Sequence, residues 1–221
     1  MHPGIHAANN PDKAAYIMAN SGRVISYGEL NDASNQGAQL FRSLGLGLGD
    51  NIAIYMENNA AFLQICWAAH RAGLYYTCIS SYLTAEEVDF IVGDCQAKVF
   101  ITSQAKAEVA AELVDMMPNA KTRLMVGEAI AGYQSYDDAI AAQPHGPIAD
   151  EYEGADMLYS SGTTGEPKGV VHVHRDIIAT CELYAVRVLG ETEADTWFSV
   201  PKLFFAYGLG CGMTFPLWVG G

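Results

Sequence analysis

Short apolar runs alternate along the chain with segments in which apolar residues recur every three or four positions. The runs predict buried strands and the periodic segments predict helices. The predicted strands are a hairpin formed by residues 14–18 and 23–26, followed by residues 51–56, 74–79, 98–102, 123–126, 155–158, 170–174 and 196–200. The predicted helices are residues 27–44, 58–72, 84–93, 105–117, 136–142 and 175–189. This alternation is typical of an α/β fold with largely parallel sheets flanked by helices.

Local signals mark where several of these elements begin and end. Thr84-Ala85-Glu86-Glu87 has the spacing of a capping box, which predicts a helix start. Residues 45–50 alternate glycine with other residues, but they follow a helix and precede a strand, which is the wrong order for a dinucleotide-binding fingerprint. Residues 127–154 are more polar, and we predict that they connect a first α/β region, residues 1–126, to a second region, residues 155–221.

Composition narrows the class of protein. Half of the 221 residues are hydrophobic and 17% are charged, which is typical of a globular protein. The formal net charge is −13, from 25 acidic and 12 basic residues, so we expect no nucleic-acid partner. An anionic substrate would then need a local positive site.

The cysteines and the N-terminal sequence bear on location. The five cysteines are scattered and form no C-x-x-C pair, which argues against a disulfide framework or a zinc site and fits a reducing cytoplasm. The N-terminal residues lack the pattern of a signal peptide, and no stretch approaches 18 uninterrupted apolar residues. We therefore expect a cytoplasmic protein without a transmembrane segment. The sequence leaves the oligomeric state unknown.

A glycine- and hydroxyl-rich loop lies between two predicted strands, in the sequence Tyr159-Ser160-Ser161-Gly162-Thr163-Thr164-Gly165-Glu166-Pro167-Lys168-Gly169. Glycines let the backbone approach a ligand closely, and successive amides can form an anion-binding concavity. Hydroxyl donors and a lysine ammonium can complement phosphate. The predicted phosphate-binding residues are Ser160, Ser161, Gly162, Thr163, Thr164, Gly165 and Lys168.

This loop differs from the phosphate loop of P-loop NTPases, because Lys168 precedes a strand-like run rather than a helix. It resembles, almost position for position, the phosphate loop of the adenylate-forming superfamily of acyl-CoA synthetases, peptide-synthetase adenylation domains and luciferases. Residues 26–30, 68–77 and 82–88 resemble, in the correct order, further motifs of that superfamily. The resemblance covers essentially the whole chain, and it implies an incomplete large N-terminal domain of the adenylate-forming fold.

The segment Lys202-Leu203-Phe204-Phe205-Ala206-Tyr207-Gly208-Leu209-Gly210 occupies the place of the superfamily's acyl and pantetheine site. The resemblance implies that Phe205 is the aromatic residue of that site and that Ala206, Tyr207 and Gly208 line the carboxylic-acid pocket. Taken without the resemblance, such an aromatic run more often belongs to a protein core. The segment is most similar to benzoate–CoA ligases, whereas residues 75–80 are more similar to ligases of fatty or other bulky acids. The sequence therefore does not decide whether the substrate is an aromatic acid or a fatty or other bulky acid.

The resemblance implies a two-step reaction in which ATP and Mg²⁺ activate a carboxylic acid as an acyl-adenylate and coenzyme A then accepts the acyl group. Two alternatives remain: a non-catalytic nucleotide- or acyl-binding module, and adenylation for a carrier protein. The superfamily's adenine-binding motif, ribose-binding aspartate and C-terminal lid with its adenylation lysine have no counterpart in these residues, so the catalytic residue stays unknown.

We therefore interpret the chain as the N-terminal part of an acid–CoA ligase. We expect the 221-residue chain alone to show no acid-dependent exchange of pyrophosphate into ATP, and robust exchange by the purified chain would contradict this interpretation.

His172 and His174 alternate in a predicted strand and would share one face. A metal site there would need a third ligand, which the sequence does not identify. We therefore predict no metal site.

Overall fold

The computed structural model describes residues 3–160, 168–171 and 174–221. Its strands are β1 (Ala14–Ile17), β2 (Val24–Ser26), β3 (Asn51–Tyr55), β4 (Tyr75–Ile79), β5 (Val99–Ser103), β6 (Thr122–Val126), β7 (Gln134–Ser135), β8 (Ala155–Ser160) and β9 (Lys168–Val171). Its α-helices are α1 (Pro3–Asn9), α2 (Tyr27–Ser43), α3 (Ala60–Arg71), α4 (Ala85–Asp94), α5 (Ala107–Glu112), α6 (Tyr136–Ala141), α7 (His174–Thr180), α8 (Ala206–Leu209) and α9 (Phe215–Val219). Two 3₁₀ turns, Gln104–Lys106 and Leu113–Asp115, flank α5, and π-helical segments, Cys181–Leu189 and Gly210–Thr214, continue α7 and α8.

Seven strands form one sheet in the order β7-β6-β5-β3-β4-β8-β9. Neighbouring strands are parallel from β7 to β8, and β9 runs antiparallel to β8. β1 and β2 form a separate antiparallel pair. The prediction of an α/β fold with a largely parallel sheet is confirmed.

Helices cover both faces of this sheet. Every residue of β3 is buried, and its side chains alternate between two apolar clusters. Ile54 packs in the cluster that contains Phe62 of α3, whereas Tyr55 packs in the cluster that contains Val88 of α4. A parallel sheet covered on both faces is encoded by continuous apolar strands, which explains why the strands could be recognised in the sequence.

The predicted capping box at the start of α4 is confirmed. The Thr84 hydroxyl accepts a hydrogen bond from the Glu87 amide, and the Glu87 carboxylate accepts one from the Thr84 amide. Ser26 and Glu29 form the same arrangement at the start of α2. Each box provides partners for backbone N–H groups that a helix start leaves without an intrahelical acceptor.

Three predicted elements differ from the structure. The helix predicted over residues 105–117 is a short α5 between two 3₁₀ turns, and no side chain caps any of the three pieces. Without caps, i→i+3 bonds tighten the ends of a helix. The strand predicted over residues 196–200 is wrong, because this stretch has no regular structure and pairs with no strand among the described residues. Aromatic and β-branched residues favour strands only where they pack against neighbours, and Phe198 is 79% exposed.

The strand predicted over residues 170–174 is also shorter than expected. β9 ends at Val171 and α7 begins at His174. The prediction that His174 lies on the strand is therefore wrong. His172 lies outside the described residues. Asp176 in the first turn of α7 favours a helix start there, since a negative charge stabilises the positive end of a helix.

The order of the strands defines a crevice at the carboxyl edge of the sheet. After β3 the chain places β4 on one side of β3, and it then places β5 on the other side. Ligands of open α/β sheets bind outside the carboxyl ends of the strands, at such a reversal. Residues 127–154, the predicted connection, contain β7 and α6, and β8 joins the same sheet as β3 to β7. Among the described residues, no helix has the length and apolarity that a membrane crossing requires.

Candidate functional site

The two ends of the predicted phosphate loop form the β8–β9 hairpin. Ser160 lies opposite Lys168 and Tyr159 lies opposite Gly169 in the antiparallel register. The lysine is exposed. The remaining predicted phosphate-binding residues lie outside the described residues, namely Ser161, Gly162, Thr163, Thr164 and Gly165. The hairpin therefore brings one hydroxyl-bearing residue and the only cation of the predicted set to the carboxyl edge of the sheet.

Tyr159 fixes this hairpin to α4. Its hydroxyl donates a hydrogen bond of 2.5 Å to Oδ2 of Asp94, the last residue of α4. Burial and this hydrogen bond raise the pKa of the Tyr159 hydroxyl, so the group keeps its proton and remains a donor. The ring lies against Gly169, where a Cβ atom would be 3.0 Å from a ring carbon. A side chain at position 169 would therefore need the tyrosine ring to shift by a few tenths of an ångström.

Gly154 lets β8 enter the sheet beside β4. Its amide donates a hydrogen bond of 2.8 Å to the carbonyl oxygen of His70. A Cβ atom at this position would lie 2.3 Å from the carbonyl oxygen of Leu74, far inside any real contact distance. The next amide, of Ala155, donates to the same Leu74 oxygen at 3.1 Å. The start of the strand that leads to the phosphate loop therefore depends on a residue without a side chain.

Arg71, at the end of α3, holds the chain just before β8. Its buried guanidinium donates to the Glu151 carboxylate at 2.9 Å, to Oδ1 of Asn31 at 2.6 Å and to Oδ1 of Asn35. Burial lowers the pKa of Arg71 to about 10 although Glu151 opposes this shift, so the group stays charged at neutral pH. The arrangement joins α2, α3 and the segment that enters β8.

The predicted acid-pocket residues surround the start of α8. Phe205 precedes the helix and is 51% exposed, and Tyr207 is 70% exposed. Gly208 is buried, and a Cβ atom there would lie 2.0 Å from the carbonyl oxygen of Lys202. The exposed rings of Phe205 and Tyr207 can contact a ligand, whereas Gly208 permits the close turn that presents them. The assignment of these residues to an acid pocket remains a prediction.

Two residues outside the predicted site hold this segment at the carboxyl edge. Oδ1 of Asn58, which follows β3, accepts a hydrogen bond of 3.1 Å from the Leu203 amide. The ring of Tyr82, which follows β4, packs edge-on against Phe204 with the ring centres 5.8 Å apart. Sequence reasoning did not select Asn58 or Tyr82 as site residues. Their positions directly after two parallel strands were the available signal.

A polar cluster lies at the same edge, after β3 and β5. The Glu57 carboxylate accepts a hydrogen bond from the Ser103 hydroxyl and one of 2.9 Å from the Asn59 amide group. The Lys106 ammonium donates to the carbonyl oxygen of Ser81 at 2.9 Å. Burial opposes ionisation of Glu57, but the hydrogen bonds from Ser103 and Asn59 outweigh it, and the pKa of Glu57 is lowered from its ordinary value of 4.5. The ionised Glu57 carboxylate therefore connects the loop after β3 to the end of β5 through hydrogen bonds.

The free energy of unfolding should depend on pH through Glu57. Because the pKa of Glu57 in the folded protein lies below its ordinary value of 4.5, the ionised group stabilises the fold above that pH, and the stabilisation is lost as the pH falls through the lowered pKa. We expect Glu57→Gln to reduce the loss of unfolding free energy between about pH 6 and about pH 3, measured by urea denaturation. Glu112→Gln, which changes an exposed carboxylate at the end of α5, is the control. Equal pH dependence in the wild type and Glu57→Gln would contradict this role.

Among the residues that the structure describes, no group of three or more histidine, cysteine, aspartate or glutamate side chains is arranged to hold a metal ion. All five cysteines are free thiols. Burial raises the pKa of Cys66 and of Cys181, so neither thiol is activated.

The 4-hydroxybenzoate–CoA/benzoate–CoA ligase of Rhodopseudomonas palustris is 35% identical to this chain over 203 residues, which are 90% of this chain and 37% of the relative. The benzoate–CoA ligase of Thauera aromatica is 35% identical over 204 residues, which are 88% of this chain and 37% of the relative. The chain thus spans a little over a third of the length of these two curated relatives.

A solved structure shows the same fold. The anthranilate CoA ligase AuaEII, in complex with anthranoyl-AMP, superposes with a TM-score of 0.91 at 29% sequence identity, covering 99% of this chain and 43% of that one. The family of AMP-binding enzymes matches residues 5–221. The chain belongs to the family of AMP-binding enzymes, and its fold is that of the N-terminal part of the adenylate-forming enzymes.

Proposed function

We propose that the chain is the N-terminal part of an AMP-forming acid–CoA ligase. One observation carries the proposal. The ends of the phosphate loop leave the sheet at the carboxyl end of β8, and the aromatic segment before α8 is held at the carboxyl ends of β3 and β4. β4 and β8 are parallel neighbours, so both features lie on the same edge. An enzyme that joins an acid to the α-phosphate of ATP needs these two sites side by side.

The reaction proceeds in two steps. A carboxylate oxygen of the acid attacks the α-phosphorus of ATP and pyrophosphate leaves, which gives the acyl-adenylate. The sulfur of coenzyme A then attacks the acyl carbon, AMP leaves, and the thiol proton is released. The first step needs no general base from the protein, because a carboxylic acid is already ionised at neutral pH. Catalysis of the first step is therefore mainly positioning and charge stabilisation.

Each described part has a role in this reaction. Lys168 supplies a positive charge to the β- and γ-phosphates, together with the hydroxyls and amides between Ser160 and Gly165. Mg²⁺ accompanies ATP and shares the phosphate charge, and we assign it no ligand among the described residues. Phe205, Ala206 and Tyr207 provide an apolar surface for the acid, and Gly208 permits their placement.

We further propose that the acid is aromatic. Phe205 and Tyr207 offer exposed rings on which a flat acid can stack, and the buried ring of Phe204 packs against Phe205. The benzoate–CoA ligase relatives and the anthranilate CoA ligase structure support this choice. We propose a cytoplasmic location, which the five free cysteines support.

An exchange assay tests the function. The full-length protein is incubated with ATP, Mg²⁺ and labelled pyrophosphate, with benzoate, 4-hydroxybenzoate or decanoate as the acid, and thioester formation is followed after coenzyme A is added. Acid-dependent exchange with thioester formation supports the ligase. Exchange without thioester would identify a carrier-protein acceptor, and ATP binding without exchange would identify a binding module.

Lys168→Ala should raise the KM for ATP in the exchange assay by about tenfold, because a charge-assisted contact to phosphate is lost. The KM for the acid should stay within about twofold, since the proposed acid site lies in a different segment, before α8. Lys121→Ala is the matched control, because Lys121 is also exposed but precedes β6 at the opposite edge of the sheet. An unchanged KM for ATP in Lys168→Ala would remove Lys168 from the phosphate site.

A further inference from the structure

The segment that carries the predicted acid pocket has little structure of its own. Residues 195–202 form neither helix nor strand, and Phe198 and Val200 are 79% and 75% exposed. Helix α8, which follows Phe205, has only four residues and no side-chain cap. The position of the Phe205 ring must therefore come from contacts with other parts of the fold.

One contact fixes the backbone of the segment. Oδ1 of Asn58 accepts the hydrogen bond of 3.1 Å from the Leu203 amide, across 145 residues of sequence. Leu203 itself is buried in the apolar cluster that also contains Phe62 and Ile54. Asn58 thus connects the loop after β3 directly to the residue that begins the aromatic run.

A second contact fixes the rings. Tyr82 meets Phe204 edge-on, with the ring planes at 87°. Phe204 is 5% exposed and packs in turn against Phe205, with the ring centres 4.6 Å apart. Edge-to-face packing is the favoured geometry of aromatic pairs. The orientation of Tyr82 is therefore passed through Phe204 to Phe205.

The backbone around Tyr82 is held from two sides. The Lys106 ammonium donates to the Ser81 carbonyl at 2.9 Å, and the Tyr55 hydroxyl donates to the Leu83 carbonyl at 3.1 Å. The Tyr82 side chain nevertheless remains 70% exposed. The ring of Tyr82, on a backbone held by two hydrogen bonds, contacts Phe204 and leaves most of its surface accessible, so it is placed to contact a ligand.

We propose that Tyr82 and Asn58 extend the acid pocket, with Asn58 as a positioning residue for Leu203 and Tyr82 as the residue that sets a preference for flat, ring-shaped acids over extended aliphatic ones. This inference rests on the proposed function, because it concerns the same acid site. The wall of the pocket then includes the exposed rings of Tyr82 and Phe205, with the buried ring of Phe204 packed between them.

The test compares kcat/KM for benzoate with kcat/KM for decanoate in the exchange assay of the full-length protein. We expect Tyr82→Ala to lower this ratio by about tenfold, the scale on which an apolar pocket discriminates between acids. Tyr82→Phe keeps the ring and should restore the ratio to within about twofold of the wild type. The KM for ATP should not change in either variant, which separates a pocket effect from general damage to the fold. Tyr152→Ala is the matched control, because Tyr152 is similarly exposed but precedes β8 at the opposite edge.

Asn58 is tested in the same assay. Asn58→Asp keeps an oxygen acceptor for the Leu203 amide, whereas Asn58→Leu removes it. We expect Asn58→Leu to raise the KM for benzoate by about tenfold and Asn58→Asp to retain most of the wild-type value. Equal effects of the two substitutions would overturn the positioning role.

A binding measurement separates failure of this inference from failure of the proposed function. Benzoate binding to the full-length protein is measured by calorimetry for the wild type, Tyr82→Ala and Tyr82→Phe. Exchange activity with an unchanged acid preference in Tyr82→Ala overturns the role of Tyr82 and leaves the ligase standing. Benzoate binding that is weakened in Tyr82→Ala and retained in Tyr82→Phe, without any exchange, supports the pocket and overturns the ligase. Neither exchange nor binding in the wild type overturns both.

Discussion

Gly208→Ala in the full-length protein is expected to lower acid-dependent exchange activity by about a hundredfold, because a displacement of about 1 Å in a substrate-positioning segment has an effect of this size. The added Cβ atom would lie 2.0 Å from the Lys202 carbonyl oxygen. This oxygen belongs to the backbone, so the clash can be relieved only by moving residues 202–208 as a unit. Phe205 and Tyr207 would then leave their positions at the carboxyl edge.

The steady-state exchange assay checks this expectation, with the KM for ATP and the KM for benzoate measured separately. The KM for benzoate should change more than the KM for ATP. Gly146→Ala is the control, because no atom lies within 4 Å of a Cβ atom at that position. Wild-type exchange by Gly208→Ala would show that this turn does not position the acid site.

Gly154→Ala is expected to lower the free energy of unfolding by about 3 kcal/mol, the upper part of the range for overpacking in a close-packed region. The clash of 2.3 Å with the Leu74 carbonyl oxygen again involves the backbone. It lies where the Gly154 amide donates to His70 and the Ala155 amide donates to Leu74. Relief of the clash must therefore separate the start of β8 from β4.

Urea denaturation of the wild type, Gly154→Ala and Gly146→Ala measures this effect, and Gly146→Ala should stay within about 0.5 kcal/mol of the wild type. A separated β8 would also displace the β8–β9 hairpin, so Gly154→Ala should bind ATP more weakly although its change is at the opposite edge of the sheet. A variant that loses less than about 0.5 kcal/mol would mean that the backbone here moves at little cost.

The proposed acid site shows how much of a site the sequence can predict. The segment from Phe205 to Gly208 could be selected because its order of residues resembles a family motif, and its chemistry suits an apolar acid. The sequence could not show which role each of these residues has. The close approach to Lys202 shows that Gly208 permits a turn, and the exposure of Phe205 and Tyr207 shows that their rings are accessible. For Asn58 and Tyr82 the sequence offered only their positions after two strands, since their contacts with Leu203 and Phe204 join distant parts of the chain.

The incorrect elements have a common physical cause. Residues 196–200 contain strand-forming side chains, but a strand needs a neighbour, and none of the described strands pairs with them. Residues 105–117 contain helix-forming alanines and glutamates, but no side chain caps the ends, and 3₁₀ turns replace α-helical turns there. The side chains of residues 196–200 favour a strand and those of residues 105–117 favour a helix. In both stretches the missing strand partner or helix cap decided which structure formed.

The sequence by itself determined the alternation of strands and helices, the parallel sheet and the membership in the family of AMP-binding enzymes. These properties follow from hydrophobic periodicity, caps and an ordered glycine-rich motif, all of which are local in the chain. Only the tertiary structure decided that β8 lies beside β4, and that the paired strands β8 and β9 and the aromatic segment before α8 share one edge of the sheet. Strand order and ring contacts depend on packing between distant residues, and a local pattern carries no information about which distant residues meet.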